Sequence, residues 1–395
     1  MATNSDIRPE TPLSVALNAT AMLSPQTGIG RYVKELALGL VRQGVTIRYF
    51  NGREWIDTPP QIRPPRDFGR QPARQLLRLL VNNVPGSDHL AREIQQRRFT
   101  QGLVKHQPAL YHEPNYLAFR FSGPLVVTAH DASWVRYPET HPVVRVRMMN
   151  RHFPAALDRA QRVIVDSDFV AREMHEVFGV PYARLRTVPL GVSAAFQALS
   201  PLLTQPICQR LGIEHGRYIL TVGTLEPRKN LIGLIRAYRL MPPSLTSRYP
   251  LVIVGIKGWR HEKVDREIAA LERTGLVRFL GHVAEADLPA LYSAATVFAY
   301  PSLYEGFGLP PLEAMKSGAP VVVADCSSLP ELVGNAGKRF NPEDVNALAE
   351  TLCSILEDEV LRQRMSEASV VRASRFTWER CVEQTLAVYR EAIAS

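Results

Sequence analysis

The sequence predicts two doubly wound, parallel-sheet α/β domains facing a cleft, and three observations lead there. Apolar runs of strand length alternate with helical patterns through both halves of the chain, as expected of strands joined by crossover helices. The alternation breaks once, at 193–216, where Pro201 and Pro206 fall. A length of 395 residues also exceeds what one compact core of common size holds. The division that follows is an N-terminal domain over 1–200, a second domain over 201–376 and a terminal helix over 377–395.

The first half opens with an apolar strand over 13–18. Thr27-Gly28-Ile29-Gly30-Arg31-Tyr32 then reads as a glycine loop leading into a helix over 31–42. Without Cβ atoms at 28 and 30 the backbone can come close to a ligand. As a dinucleotide fingerprint the pair is incomplete, lacking a third glycine and an acid about 20 residues further on. More strand signals fall at 45–50, 125–130 and 163–166, with helical ones at 143–160 and 169–178. The Pro-rich stretch 58–65 reads as a surface loop. The second half repeats the scheme with strands near 217–223, 250–256, 276–281, 296–301 and 319–325, each followed by a helix candidate. It ends in an amphipathic pattern at 377–390.

Apolar residues make up 46% of the chain, ordinary for a globular protein. No apolar run approaches the roughly 20 residues that cross a bilayer, and the first ten residues lack the basic and apolar regions of a secretion signal. A cytosolic protein is expected, or one attached to a membrane from the cytosolic side. Cys208, Cys326, Cys353 and Cys381 are widely spaced and suggest neither a disulfide framework nor a zinc site. Charge is uneven: residues 1–200 carry the whole net +9, with 25 Lys and Arg against 16 Asp and Glu. Between Arg63 and Arg98, the arginines Arg70, Arg74 and Arg78 interleave with leucines at near-helical spacing. Such a stretch suits the headgroup layer of an anionic membrane, or equally a core-facing helix with a solvated basic edge. No nucleic-acid reader motif accompanies the charge, so nucleic acid is not an expected partner.

The most informative segment follows the apolar run 295–301. Glu305 and Glu313 have seven residues between them across Gly306-Phe307-Gly308, where a helix begins. A strand, glycine turn and helix in that order leave backbone N–H groups unpaired at the positive end of the helix dipole, where a phosphate can sit. Glu313, just over one turn into the helix, is placed to accept hydrogen bonds from a ribose. The alternatives are a plain helix-face charge for Glu313 and a dipole-favoured acid for Glu305. Upstream, a strand ends at Gly223, and Thr224-Leu-Glu-Pro-Arg228-Lys229-Asn230 turns into the next helix. Adjacent guanidinium and ammonium groups suit a diphosphate. Two such loops at the C-terminal ends of strands are where open α/β sheets bind ligands.

With these residues the chain resembles the GT-B fold retaining glycosyltransferases of the family 4 type, which carry a Glu-x7-Glu motif on two Rossmann-like domains. Further matches are the Gly28 loop, Ala129-His130-Asp131 after a strand, and Val188-Pro-Leu-Gly191-Val192 near the junction. The phrase His130-Asp-Ala-Ser-Trp-Val-Arg-Tyr-Pro-Glu-Thr-His-Pro is most similar to bacterial mannosyltransferases of polysaccharide and O-antigen assembly. The resemblance spans roughly 13 to 390. It implies transfer of a hexose, mannose from GDP-mannose, to a glycan or lipid-linked acceptor, with no metal or other cofactor. The implied catalytic residues are His130, beside the transferred sugar, and Glu305, Arg228 and Lys229. The implied donor site adds Gly30, Gly223, His282 (through its backbone, to the nucleobase), Gly306, Phe307, Gly308, Leu309 and Glu313. Glu331 is implied to lie nearby, and the terminal helix to cross back onto the first domain.

Asp166-Ser167-Asp168 spells the Asp-x-Asp metal motif of the other glycosyltransferase fold. It falls between a strand and a helix, where Ser and Asp are ordinary caps, and capping is the expectation. A nucleotide-sugar isomerase or epimerase on the same scaffold is the alternative enzyme class, and an NAD-dependent dehydrogenase using the Gly28 loop is a third.

Overall fold

A computed structural model describes residues 13–23, 28–60, 87–258 and 261–395. The basic stretch with Arg70, Arg74 and Arg78 lies outside these residues, as does Thr27.

The N-terminal sheet has seven strands, β1 (Ser14–Asn18), β2 (Thr46–Phe50), β3 (Trp55–Ile56), β4 (Leu110–Glu113), β5 (Leu125–Ala129), β6 (Arg162–Val165) and β7 (Leu185–Thr187). They run in the order β3-β2-β1-β4-β5-β6-β7. All pairings are parallel except β2 with β3. The second sheet is wholly parallel: β8 (Ile219–Val222), β9 (Leu251–Val254), β10 (Val277–Gly281), β11 (Val297–Tyr300), β12 (Val321–Ala324) and β13 (Lys338–Phe340). Its order is β10-β9-β8-β11-β12-β13. Strands such as β9 (Leu-Val-Ile-Val) and β12 (Val-Val-Val-Ala) are buried throughout, because helices cover both faces of a parallel sheet. The doubly wound expectation holds. In each sheet the order reverses once, between β1 and β4 and between β8 and β11, and crevices at such points collect ligands.

Three local expectations change. Gly28 and Gly30 do not form a loop; they are the first turn of the helix Gly28–Arg42, with Gly30 buried. The stretch 193–216, read as a linker, contains the helix Pro201–Arg210, which packs on the helix Leu288–Ala294. Proline at the first helical position needs no N–H partner there. β3, β4, β7 and β13, unmarked by strong alternation, complete the sheets.

The helix Trp378–Ala394, capped by Thr377 through the Arg380 N–H, packs against the helix Gly28–Arg42 and against β4, β5 and β6. The chain therefore crosses back onto the first domain. Gly191 permits the crossing: a Cβ there would lie 2.3 Å from the Trp378 backbone nitrogen. Val192 N–H donates to the Phe376 carbonyl at 3.2 Å.

Candidate active site

The C-terminal strand ends of the two sheets face each other across a cavity of about 410 Å³. On one wall, Glu226 is extended and Pro227–Lys229 forms one 3-10 turn; Asn230 (φ 51°) then caps the helix Leu231–Leu240 by accepting from Gly233 N–H. That turn puts both Arg228 and Lys229 into the cavity. Neither is uncompensated. Lys229 donates to Glu305 at 2.6 Å and to the Tyr300 hydroxyl at 3.0 Å. Arg228 donates to Glu226 at 2.7 Å, to Glu305 at 3.3 Å and to the Tyr304 carbonyl at 2.6 Å. Glu305 also accepts from Ser302 at 2.6 Å and Tyr300 at 2.9 Å. Burial opposes its ionisation, but the charges of Lys229 and Arg228 hold its pKa down to about 2. All six side chains are held by these bonds before any substrate arrives.

Gly306, Phe307, Gly308 and Leu309 line the cavity next to this cluster. Two of the helix N–H groups expected there do not exist, since Pro310 and Pro311 occupy the first turn of the helix Leu309–Lys316 and proline has none. The open backbone donors are instead those of the loop: among the described residues, no acceptor meets the N–H groups of 306, 307, 308 and 309. Gly308, at φ 109°, takes a conformation other residues avoid. Gly306 answers a different need from the one its sequence suggests. A Cβ on it would stand 1.7 Å from the His130 carbonyl oxygen, so its glycine character lets the two domains touch. Ser167 Oγ donates to the Gly306 carbonyl at 2.7 Å from the opposite side.

Glu313, buried one turn on, accepts from Tyr292 at 3.1 Å and from Arg31 of the first domain. Arg31 in turn reaches Glu285 at 2.9 Å. The carboxylate expected to hold a ribose is thus occupied by an arginine from across the cleft.

His130 forms the cavity floor after β5. Its Nε2 faces the Pro114 carbonyl at 2.9 Å and its Nδ1 the Asp166 carboxylate at 2.7 Å. A carbonyl only accepts, so Nε2 carries a proton; Asp166 opposite Nδ1 draws the second. Burial opposes the charge, yet the carboxylate and the two acceptors raise the His130 pKa above its ordinary value. Asp166 therefore is no cap, and the expectation fails for a reason of distance: its partner lies 36 residues away. Capping of the helix Asp168–Phe178 falls to Ser167, which accepts from Val170 N–H. Asp168 binds Thr187 at 2.7 Å. Among the described residues no cluster of three His, Cys, Asp or Glu side chains suits a metal ion.

Of the expected site residues, His130, Gly223, Arg228, Lys229, Glu305, Gly306, Phe307, Gly308, Leu309 and Glu313 meet in one cavity. Gly30 does not line it, being turned into the helix packing. His282 is exposed beyond β10 and outside the cavity lining. Glu331 serves the domain junction, accepting from Phe169 N–H at 3.0 Å. Sequence reasoning missed Glu226, Tyr300, Asp166, Arg31 and Arg145 as cavity groups or their partners. It also missed Tyr304, whose hydroxyl accepts from Ala132 N–H at 2.7 Å across the junction and donates to Glu173. Only Glu226 carried a signal, an acid two residues before Arg228.

Residues 26–196 match the family described as Glycosyltransferase Family 4, and 206–371 match Glycosyl transferases group 1. The chain is 38% identical over 369 residues to O-antigen chain mannosyltransferase B of Escherichia coli, covering 93% of this chain and 96% of that protein. In fold it is similar to sucrose-phosphate synthase from Thermosynechococcus elongatus (TM-score 0.74, 21% identity, 97% of this chain and 100% of the other). It is also similar to HepE of Anabaena in complex with UDP and glucose (TM-score 0.70, 20% identity, 96% and 100%). Two parallel-sheet domains closed on a cleft, with an acid-fixed Arg-Lys pair beside an open row of backbone N–H groups, agree with these likenesses in placing the chain among the GT-B glycosyltransferases of group 1 and family 4.

Proposed function

We propose that this glycosyltransferase moves mannose from GDP-mannose to a glycan or lipid-linked acceptor of cell-surface polysaccharide assembly, with retention of configuration. The observation that carries the reading is the row of unpaired N–H groups at 306–309 beside Lys229 and Arg228. Preorganised donors of this kind stabilise charge that develops on a departing diphosphate. The choice of mannose is supported by the similarity to the E. coli mannosyltransferase over nearly the full length of both chains.

In this reading the diphosphate lies on the 306–309 loop and Lys229. Glu313 exchanges Arg31 for the ribose hydroxyls, and Gly223 leaves room for the donor, a Cβ there finding nothing nearer than 4.0 Å. Glu305, with both oxygens engaged, acts by fixing Lys229 and Arg228 rather than by attacking the sugar. His130 contributes a positive ring edge at the reacting end, its nitrogens being committed. No metal takes part, and the acceptor proton passes to the donor phosphate. The nucleobase lies near the backbone at His282.

None of the described helices is long and apolar enough to cross a membrane. Peripheral attachment on the cytosolic side through the basic N-terminal half would bring the enzyme to a lipid-linked acceptor. Replacing Arg70, Arg74 and Arg78 with Glu should then release it from anionic vesicles, an attraction of about 1 kcal/mol per basic residue.

A thermal-shift panel of GDP-, UDP- and ADP-sugars tests the donor. A ligand at 100 times its Kd stabilises by about 2.7 kcal/mol. Stabilisation by UDP- or ADP-sugars with none by GDP-mannose overturns the assignment, and an α/β readout of the product by NMR tests retention.

A further inference from the structure

Among the described residues, every arginine and lysine that lines the donor cavity is already committed to an acid, with one exception. Lys229 and Arg228 share Glu305 and Glu226 at 2.6–3.3 Å. Arg31 is held by Glu313 and Glu285. His130 faces Asp166 at 2.7 Å. The remaining cavity acid, Asp131, is turned onto its own loop, accepting from Ser133 Oγ at 2.9 Å and from Tyr116 at 3.1 Å. Arg145, near the start of the helix Val143–Arg159, lines the same cavity from the first domain. It is half-buried, and among the described residues it has no ion-pair or hydrogen-bond partner.

A cavity-lining guanidinium without a counter-ion is available to an anion that enters the cavity during function. Its position says which anion. Arg145 lines both the donor cavity and a second cavity of about 690 Å³ beside it, and shares that boundary with Arg228, Lys229 and Thr224. It therefore borders, from the first domain, the same space that the 306–309 loop and the Arg-Lys turn line.

We propose that Arg145 is a leaving-group residue, supplied by the first domain, that binds the donor diphosphate as the sugar departs. The inference rests on the nucleotide-sugar reading above. In the step it assists, the bond from the anomeric carbon to the β-phosphate oxygen breaks and its electron pair goes to that oxygen. The acceptor oxygen bonds to the anomeric carbon, and the acceptor proton goes to the released diphosphate. The charge that grows on the diphosphate is what an uncommitted guanidinium can meet, while Arg228 and Lys229 are half-answered by their glutamates. Because Arg145 belongs to the opposite domain, its contact also makes charge stabilisation depend on a closed cleft.

The test uses the full chain and four variants: Arg145→Gln, Arg145→Lys, Lys229→Ala and, as a surface control on the same helix, Arg147→Gln. Calorimetric titration with inorganic pyrophosphate and the rate of donor hydrolysis by water without acceptor are both measured. Arg145→Gln should lower pyrophosphate affinity about tenfold or more, as loss of a charge-assisted hydrogen bond does, and slow hydrolysis by a similar factor. Arg145→Lys should recover part of each, and Arg147→Gln should leave both unchanged. Equal melting temperatures exclude misfolding; a variant that melts early is replaced by Arg145→Met. If Arg145→Gln binds pyrophosphate and hydrolyses donor as wild type does while its acceptor KM rises, Arg145 serves the acceptor and the proposal fails. Should Lys229→Ala lose pyrophosphate while Arg145→Gln keeps it, the proposal alone fails. A wild-type protein that binds neither pyrophosphate nor any nucleotide removes the underlying reading as well.

Discussion

Replacing Gly306 with alanine separates the two roles a glycine could have in this loop. A Cβ at 306 would stand 1.7 Å from the His130 carbonyl oxygen, 2.8 Å from its carbon and 3.0 Å from Asp131 Cβ. The first two obstacles are backbone, so no rotamer change relieves them. Real Cβ atoms keep beyond 3.0 Å; the loop must therefore withdraw by about 1.3 Å, and misplacement on the scale of 1 Å costs about 10²-fold in rate. The Ser167 to Gly306 hydrogen bond of 2.7 Å goes with it, at about 1 kcal/mol. Gly306→Ala is thus expected to transfer about 10² times more slowly while its melting temperature falls only a few degrees. Nucleoside diphosphate release measures the rate, and small-angle scattering reports the wider cleft. Gly223→Ala is the matched control, since its Cβ meets only Lys229 Cδ and Tyr300 Cε2 at 4.0 Å: it should preserve the closed cleft and weaken donor binding by filling space. A Gly306→Ala enzyme within threefold of wild-type kcat/KM would refute the claim that domain contact at this residue sets the active geometry.

Lys229→Ala should lower turnover by about 10²-fold. It should also cost about 1–3 kcal/mol of stability, because buried Glu305 loses its shortest charged partner while keeping Arg228, Tyr300 and Ser302; calorimetry and initial rates check both. Glu313→Gln should weaken donor and free nucleoside diphosphate together, by roughly 1.5–3 kcal/mol, and an effect confined to the intact sugar donor would place Glu313 on the hexose. Transfer should persist in excess EDTA, and rescue of a chelated enzyme by Mg²⁺ or Mn²⁺ would contradict it. Burial pushes the Glu113 carboxyl up to about 7 against hydrogen bonds from Tyr111, Asn18 and Asn115. Between pH 4.5 and 7 the unfolded chain ionises this group before the folded one does, so stability should fall with rising pH by up to about 3 kcal/mol. Glu113→Gln should flatten that slope in melting temperature.

The sequence by itself determined the architecture and the place of the chemistry. Strands such as β9 and β12 declare themselves because a parallel strand buried on both faces is apolar throughout, and helix starts at 168, 231 and 309 because caps, Asn and glycine act over three or four residues. The Glu305 and Arg228 loops were legible for the same reason: both sit within single strand-turn-helix units. Local rules also misled where they competed. Gly28-Ile-Gly30 looked like a loop and became helix once packing on the helix Trp378–Ala394 outweighed glycine's poor propensity, Gly39 being so close to that helix that its Cβ would lie 2.3 Å from Val382. Only the tertiary structure decided which charges answer which. Arg31 and Glu313 are 282 residues apart, Tyr304 and Glu173 are 131 apart, and Asp166 and His130 are 36 apart. Coulomb and hydrogen-bond partners are chosen by proximity in a low-dielectric cleft, and no periodicity along the chain encodes that proximity. The same is true of Arg145, an ordinary helical arginine in sequence, whose lack of an ion-pair partner among the described residues becomes visible only when the other arginines and the lysine of the cavity are seen to have one.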